Sequence, residues 1–245
     1  MPAYKVRPGA PSYGHAVGIL LIDVETPFIP GDVGNASTYG YPVIYKTVPG
    51  VGIERLIEKF DPALTEVVVE TARQLEKMGV RLITSDCGYM IHFQEAVARS
   101  VNVPVVLSSL LQLPIIENSL GPGRKIGVIC ARAGRLTEEM LKMAGLRDCS
   151  KVVVMGLEGS AAFRAPMLDE EPWLDSDKIE QDVVAVARGI VESSPEIGAI
   201  LLECSDLPPY AAAVQRAVDR PVFDFITLID YFHGAAFRKD FHGFY

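Results

Sequence analysis

The chain has 245 residues, of which 49% are hydrophobic, and its formal net charge is −8. This length and composition are typical of a globular protein with one large or two small domains around a well-buried core. The acidic balance, with no cluster of lysine and arginine, argues against nucleic acid as a partner.

Membrane and secretory signals are not evident in the sequence. The longest early apolar run, residues 16–22, is far shorter than the roughly 20 residues of a membrane span, and no cleavage pattern follows it. We therefore expect a cytoplasmic protein with no membrane association. Four cysteines without zinc-type spacing indicate neither a disulfide scaffold nor a metal site.

The first half is predicted to alternate strands and helices around one long loop. An apolar run at residues 15–24 predicts a buried first strand. Residues 25–50, with four prolines and four glycines, predict a lid or binding loop in which only residues 42–48 resemble a strand. A helix from Asp61 to Gly79, a strand at 80–84, a helix at 89–100 and a strand at 103–107 follow, and Ser108 begins the next helix.

The second half continues the same alternation. Its predicted strands are 125–130, 152–155, 197–202 and 222–224, and its predicted helices are 136–144, 177–193, one that Ser205 or Asp206 caps, and 227–239, with a second loop at 156–175. Such alternation predicts an α/β fold of two parallel-sheet domains. We place the first domain at residues 1–112 plus 223–245 and the second at 113–222.

The chain repeats one pattern around Cys87 and Cys204. Each cysteine ends an apolar strand and follows an acidic residue, and an aromatic stands at +6, an arginine at +12 and a proline at +17 from each. Ligands of open α/β sheets bind beyond the carboxyl ends of the strands. The repeat therefore predicts two pseudo-symmetric domains whose cysteines face each other across a cleft.

Paired cysteines suit the removal of a proton from one face of a carbon acid and its return to the other face. A helix N-terminus lowers a thiol pKa, whereas the neighbouring Asp86 and Glu203 raise it. The chemistry needs no metal or cofactor if backbone N–H groups and hydroxyls stabilise the enolate-like intermediate. Gly88, Ser108, Ser109 and Ser205 are placed to do so.

At these residues the chain resembles the aspartate/glutamate/hydantoin racemase superfamily, whose cofactor-independent enzymes use two facing cysteines. The resemblance covers nearly the whole chain, including the strand at 125–129 that opens the second half. The first strand is similar to the hydantoin-racemase opening, which implies that Asp23, Glu25 and Thr26 line the pocket. With Cys87 and Cys204 as the catalytic pair, the predicted substrate-binding residues are Asp23, Glu25, Thr26, Gly88, Tyr89, Ser108, Ser109, Cys130, Ser205 and Asp206.

The sequence departs from the amino-acid racemases of this superfamily after both cysteines. Gly88-Tyr89 replaces their usual Asn-Thr, and Ser205-Asp206 replaces Thr-His. The mechanism therefore carries over better than the substrate. Arg132 and Arg164 are candidates to bind a substrate carboxylate, although arginines in polar loops are usually solvated.

We predict a cofactor-independent racemase or epimerase of a small carbon acid, such as an amino-acid derivative or hydantoin. One alternative is a cysteine-dependent isomerase or decarboxylase, similar to maleate isomerase or arylmalonate decarboxylase. Another is a non-enzymatic ligand or redox sensor. The expected partners are a small-molecule substrate and further copies of the chain in a homodimer or larger homo-oligomer.

Overall fold

The computed structural model describes residues 3–245. The first sheet is wholly parallel, with strand order β2-β1-β3-β4. Its strands and the helices of this part are β1 (Val17–Leu21), β2 (Val43–Thr47), α1 (Thr65–Met78), β3 (Leu82–Ser85), α2 (Gln94–Ser100), β4 (Val105–Val106) and α3 (Leu113–Ser119).

The second sheet has the equivalent order, β6-β5-β7-β8, and is also parallel. Its elements are β5 (Lys125–Cys130), α4 (Glu138–Met143), β6 (Val152–Gly156), α5 (Ala161–Leu168), α6 (Ser176–Ser193), β7 (Ile197–Leu202), α7 (Ala211–Val218), β8 (Val222–Phe223) and α8 (Phe225–Ala236). The predicted α/β class with two parallel sheets is confirmed.

Local sequence explains why α1 forms and stops. Its residues Val68, Ala72 and Leu75 recur at helical spacing and are fully buried, and each large side chain contributes about 1.5–3 kcal/mol of burial. Leu75 fits against Gly18 of β1, where an added Cβ would come within 3.1 Å of its side chain. Gly79 ends the helix in the left-handed conformation.

Two parts of the predicted element pattern are wrong. The segment 156–175 was expected to be a loop but contains α5, which Ser160 caps through its hydroxyl. Pro166 lies inside this helix and disguises it in the sequence. Neither Ser205 nor Asp206 caps the helix after Cys204, because a 3₁₀ helix begins at Pro208 with Leu207 as its N-cap.

Helix α8 packs against the first sheet. Phe225, Leu228 and Ile229 form one buried cluster with residues of β1 and β3, including Val17 and Leu82. Asp224 caps this helix in a capping box with Thr227. The domain boundaries remain a prediction. Across residues 3–245, no helix is both long and apolar enough to span a membrane.

Candidate active site

A cleft lies beyond the carboxyl ends of β1, β3 and β7, and both halves of the chain contribute to its wall. Cys87 follows β3 and Cys204 follows β7, so the chain repeat does bring the two cysteines to one cavity. The lining residues are Ile22, Val24, Thr26, Phe28, Ile53, Ile57, Asp86, Cys87, Gly88, Tyr89, Ala131, Met167, Leu168, Glu203, Cys204, Ser205 and Asp206.

Cys87 is buried at the N-terminus of a 3₁₀ helix that spans Gly88–Phe93. Burial raises the pKa of its thiol well above the ordinary value, and the carboxyls of Glu203 and Asp86 raise it further. The backbone N–H of Tyr89 opposes this shift in the thiol pKa. The Cys87 thiol therefore ionises less readily than a free cysteine.

Cys204 occupies the equivalent position in the second half but has a different neighbour. Its Sγ lies 3.1 Å from Oδ2 of Asp206, to which the thiol donates a hydrogen bond. Burial raises the pKa of the Cys204 thiol, and the carboxyls of Asp206 and Glu203 raise it further, while the Asp206 backbone N–H lowers it. The two cysteines are thus equivalent by position and distinct in environment.

The acids that precede the cysteines also differ. Oδ1 of Asp86 accepts the Ile22 N–H at 2.9 Å, so this carboxyl has a partner. Both carboxyl oxygens of Glu203 are buried without a hydrogen-bond partner among the described residues. Burial raises the pKa of Glu203 to about 8, with a further contribution from Asp206.

Gly88 provides the space that the Glu203 side chain occupies. A Cβ placed on Gly88 would overlap Oε1 and crowd the Glu203 carboxyl carbon at 2.5 Å. Gly88 is a predicted substrate-binding residue, and the group that approaches its backbone in the structure is Glu203.

Two serines join the two halves of the chain next to the cysteines. Ser205 donates its hydroxyl to the backbone carbonyl of Asp86, and Ser109 donates to the carbonyl of Glu203 at 3.0 Å. Each half thereby binds the backbone just before the other half's cysteine. These bonds fix the two cysteine turns relative to each other.

The structure places half of the predicted substrate-binding residues in the wall and half elsewhere. Thr26, Gly88, Tyr89, Ser205 and Asp206 line the cleft, and the buried Thr26 hydroxyl has no hydrogen-bond partner within residues 3–245. The other five predicted residues, Asp23, Glu25, Ser108, Ser109 and Cys130, are outside its lining.

Ser109 bonds to the Glu203 carbonyl, and local contacts explain where the other four residues are. The Asp23 carboxylate accepts the Gly50 N–H at 2.9 Å, and Ser108 accepts the Leu110 N–H as a helix cap. Cys130 is fully buried and directs its thiol to the Met155 carbonyl at 3.6 Å. Glu25 is exposed, and its N–H donates to Oε1 of Glu170 at 3.0 Å.

Sequence reasoning missed the apolar wall and one acid. Phe28, Ile53 and Ile57 come from the first half and Met167 and Leu168 from α5, none of which carries a motif. Asp32, in the long loop, is fully buried beside Asp206. Its only sequence signal is an acid between two glycines in a loop that was predicted to close the site.

The wall contains acids and, within the described chain, neither lysine nor arginine. Arg132 pairs with Glu58 at 2.9 Å, and Arg164 pairs with Asp169 at 2.9 Å. These pairs explain why the two arginine candidates are absent from the cleft. No group of three or more histidine, cysteine or acidic side chains in residues 3–245 is arranged to hold a metal ion.

Comparison with known proteins identifies relatives along nearly the whole chain. No family model matches it. A dimethylsulfoniopropionate lyase of Durusdinium sp. clade D is 34% identical over 93% of this chain and 78% of its own length. The chain belongs to the dimethylsulfoniopropionate lyase family. Dimethylsulfoniopropionate lyase 5 of Emiliania huxleyi (strain CCMP1516) is 32% identical over 92% of this chain, which spans about half (47%) of that longer relative.

Solved structures show that this lyase family member has the fold of the aspartate/glutamate/hydantoin racemase superfamily, as predicted. A mutant of arylmalonate decarboxylase in a sulfate-associated form aligns with a TM-score of 0.61 at 17% identity, over 90% of this chain and 92% of its own. Allantoin racemase from Pseudomonas fluorescens aligns with a TM-score of 0.61 at 18% identity, over 89% of both chains.

The predicted function and enzyme class are corrected by these relatives. A racemase or epimerase, and hence an isomerase, was expected from the paired cysteines, but the sequence relatives at 32–34% identity are lyases. The racemase interpretation is therefore wrong. The physical reason for this error is that paired cysteines identify proton-transfer groups but do not specify which bond of the substrate breaks after the proton is removed.

Proposed function

We propose that this chain is a lyase that cleaves a C–S bond of dimethylsulfoniopropionate or a close sulfonium carboxylate, releasing dimethyl sulfide and acrylate. The names of its relatives supply the substrate class. The observation that carries the proposal for this chain is that both strand-ending cysteines open on one cleft whose charged lining groups are all acids.

The wall suits a sulfonium cation. A sulfonium carries a positive charge but no N–H or O–H donor, so charge and polarisable surface must recognise it. Glu203 offers an unpartnered carboxyl, and Phe28 and Tyr89 offer aromatic surface in the same wall. Burial disfavours the negative charge of an ionised Glu203. A bound cation next to this carboxyl offsets that cost and so favours its ionised form.

The substrate carboxylate needs a hydrogen-bond donor in the same wall. The buried Thr26 hydroxyl lines the cleft, has no hydrogen-bond partner within residues 3–245 and can donate to a carboxylate oxygen. This bond stabilises the extra negative charge that develops on the carboxylate when the adjacent carbon loses a proton.

The reaction balances with one base and no cofactor. A cysteine thiolate removes a proton from the carbon next to the carboxylate, and the freed electron pair forms the C=C bond. The C–S bond then breaks, and its electrons leave with sulfur as neutral dimethyl sulfide. The proton passes from the cysteine to water. Because this leaving group needs no proton, the elimination does not require a second acid.

The test is to measure dimethyl sulfide in the headspace and acrylate by NMR when the purified chain is supplied with dimethylsulfoniopropionate. We expect both products in equal amounts. Cys87→Ala and Cys204→Ala should each lower kcat, the one that removes the base by about 100-fold or more. Cys149→Ala, a cysteine outside the cleft, should retain wild-type kcat.

Two results would contradict the proposal. One is a folded wild-type chain that forms neither product. The other is a chain whose product formation survives in the double variant Cys87→Ala/Cys204→Ala, with circular dichroism showing that each variant is folded.

A further inference from the structure

Asp206 and Asp32 form a buried carboxyl pair beside Cys204. Asp206 lies two residues after this cysteine, in the cleft wall, and its Oδ2 is 3.1 Å from Sγ. Asp32 comes from the long loop of the other half and is fully buried. The Val33 N–H, next in that loop, donates to the Ser205 carbonyl at 3.4 Å, so the backbone holds Asp32 against the Cys204 turn.

The pair must share a proton. Oδ1 of Asp32 accepts the Gly34 N–H at 2.7 Å, while Oδ2 has no partner in the described chain except the facing Asp206 carboxyl. Two adjacent buried carboxylates repel each other, so one of them stays protonated. Burial and then Asp206 raise the pKa of Asp32. Burial also raises the pKa of Asp206, but the hydrogen bonds that Asp206 accepts from Asp32 and Cys204 oppose this rise. Asp32 therefore holds the proton and donates it to Asp206.

We propose that Asp206 is the base that takes the proton of Cys204, and that Asp32 is a positioning residue that holds Asp206 toward this thiol. The transfer moves one proton from Sγ to Oδ2, so an S–H bond breaks as an O–H bond forms. A thiol and a carboxylate become a thiolate and a carboxylic acid. Because net charge is unchanged, the buried cleft gains no additional ion.

The same geometry distinguishes the two cysteines. In the described chain, Cys87 donates a hydrogen bond to no carboxylate, and Oδ1 of neighbouring Asp86 is held by the Ile22 N–H. Cys204 is thus the thiol that can pass its proton to a carboxylate within hydrogen-bond distance, and Cys87 has no such acceptor. If the proposed lyase function holds, on which this last step rests, Cys204 removes the substrate proton and Asp206 returns its own proton to water after turnover.

Alkylation tests the proton transfer from Cys204 to Asp206, hereafter the relay, without any substrate. The purified chain is treated with limiting iodoacetamide, and the modification rate of each cysteine is followed by peptide mass spectrometry, since only the thiolate reacts. Loss of the Asp206 charge by itself would lower the pKa of the Cys204 thiol and speed its alkylation. Slower alkylation of Cys204 in Asp206→Asn, which keeps the shape but cannot accept a proton, therefore identifies Asp206 as the base, and we expect it to be slower by about tenfold or more. Asp32→Asn keeps a donor toward Asp206 and should retain at least about one third of the wild-type rate.

Controls separate chemistry from folding. Asp219→Asn makes the same substitution outside the cleft and should change neither rate. If Asp206→Asn fails to fold, Asp206→Ser replaces it, with the same expected slowing of Cys204 alkylation. The alkylation rate of Cys87 in each variant serves as the internal reference. Alkylation of Cys204 at the wild-type rate or faster in the folded Asp206 variants would overturn the proposal, as would equal losses in Asp32→Asn and Asp206→Asn.

The outcome for the relay is distinguishable from the outcome for the lyase. Alkylation that depends on Asp206 in a chain that releases no dimethyl sulfide would sustain the relay and reject the lyase. If the chain releases dimethyl sulfide but the alkylation rate of Cys204 does not depend on Asp206, the relay alone is rejected.

Discussion

At the scale of single residues, Glu203 has the most demanding environment in the cleft. It is fully buried, neither oxygen has a hydrogen-bond partner within residues 3–245, and its pKa is raised to about 8 from an ordinary 4.5. Such a carboxyl destabilises the fold whenever the unfolded chain would ionise it. A group that is costly to bury and is placed in the wall of a cleft is typical of a functional site.

The substitution Glu203→Gln therefore stabilises the protein in a pH-dependent way. Below about pH 4.5, Glu203 is protonated in both states; between there and about 8, only the unfolded state ionises, so native stability falls as pH rises. A glutamine at this position does not titrate, and we expect the advantage of the variant over wild type to grow by on the order of 3 kcal/mol between about pH 5 and about pH 7.5. Urea unfolding of both proteins at these pH values measures it, and a pH-independent difference would contradict the prediction.

Single residues also show which parts of the site can be predicted from the sequence. Cys87 and Cys204 were predictable because strand, cysteine and helix recur at matching intervals. Asp32 was not, because it lies in an irregular loop where no periodicity relates it to Asp206, far along the chain in the other half. Ser109 and Cys130 were misplaced because sequence gives the end of an element and not the direction of a side chain.

At the scale of elements, the loop between β1 and β2 carries Asp32 into the second half. Gly31 has φ +101°, and a Cβ there would lie 2.9 Å from Cα of Pro209. Both the backbone conformation and the close contact require glycine at this position. The loop is thus ordered by its packing on the other half, and its residues Thr26 and Phe28 line the cleft.

We expect Gly31→Ala to lower the free energy of unfolding by about 1–3 kcal/mol, through strain and contact with Pro209. It should also slow alkylation of Cys204, because the neighbouring Asp32 moves with the loop. Gly40→Ala is the matched control from the same loop, since a Cβ there meets nothing within 4 Å. Equal melting temperatures for the two variants would show that the loop does not need this close contact.

The elements that the sequence predicted well are those with simple periodicity. Strand β7 was predicted at its observed limits, 197–202, because its apolar run has clear borders. Helix α5 was missed because Pro166 and the acids around residue 170 resemble a loop, while its cap, Ser160, and its packing stabilise the helix. Tertiary contacts decide such short segments.

At the scale of the whole molecule, α8 returns from the second sheet to cover the first. Phe225, Leu228 and Ile229 are at most 3% exposed in that position. Removal of residues 225–245 would uncover the cluster around Val17 and Leu82, at a cost of several kcal/mol. We expect this truncated chain to be insoluble or unfolded. Removal of residues 238–245, which are exposed, should leave the melting temperature within about 2 °C of wild type.

Thermal unfolding followed by circular dichroism compares the two truncations. A cooperative, wild-type transition in the chain that lacks residues 225–245 would reject the role of α8.

The whole-molecule prediction from sequence succeeded for the fold and failed for the reaction. The fold follows from alternating strands and helices. The reaction depends on what leaves the substrate, and two thiols on matched turns do not encode a leaving group.

The acid-lined wall has a consequence for the end of the proposed reaction. Elimination converts a zwitterion into a neutral thioether and an anion, so the attraction between the acidic wall and the sulfonium disappears when the bond breaks. Acrylate is then surrounded by Asp86, Glu203 and Asp206, with no basic side chain in the described lining to retain it. Product inhibition by acrylate should therefore be weak, and it should weaken further at higher pH as these acids ionise.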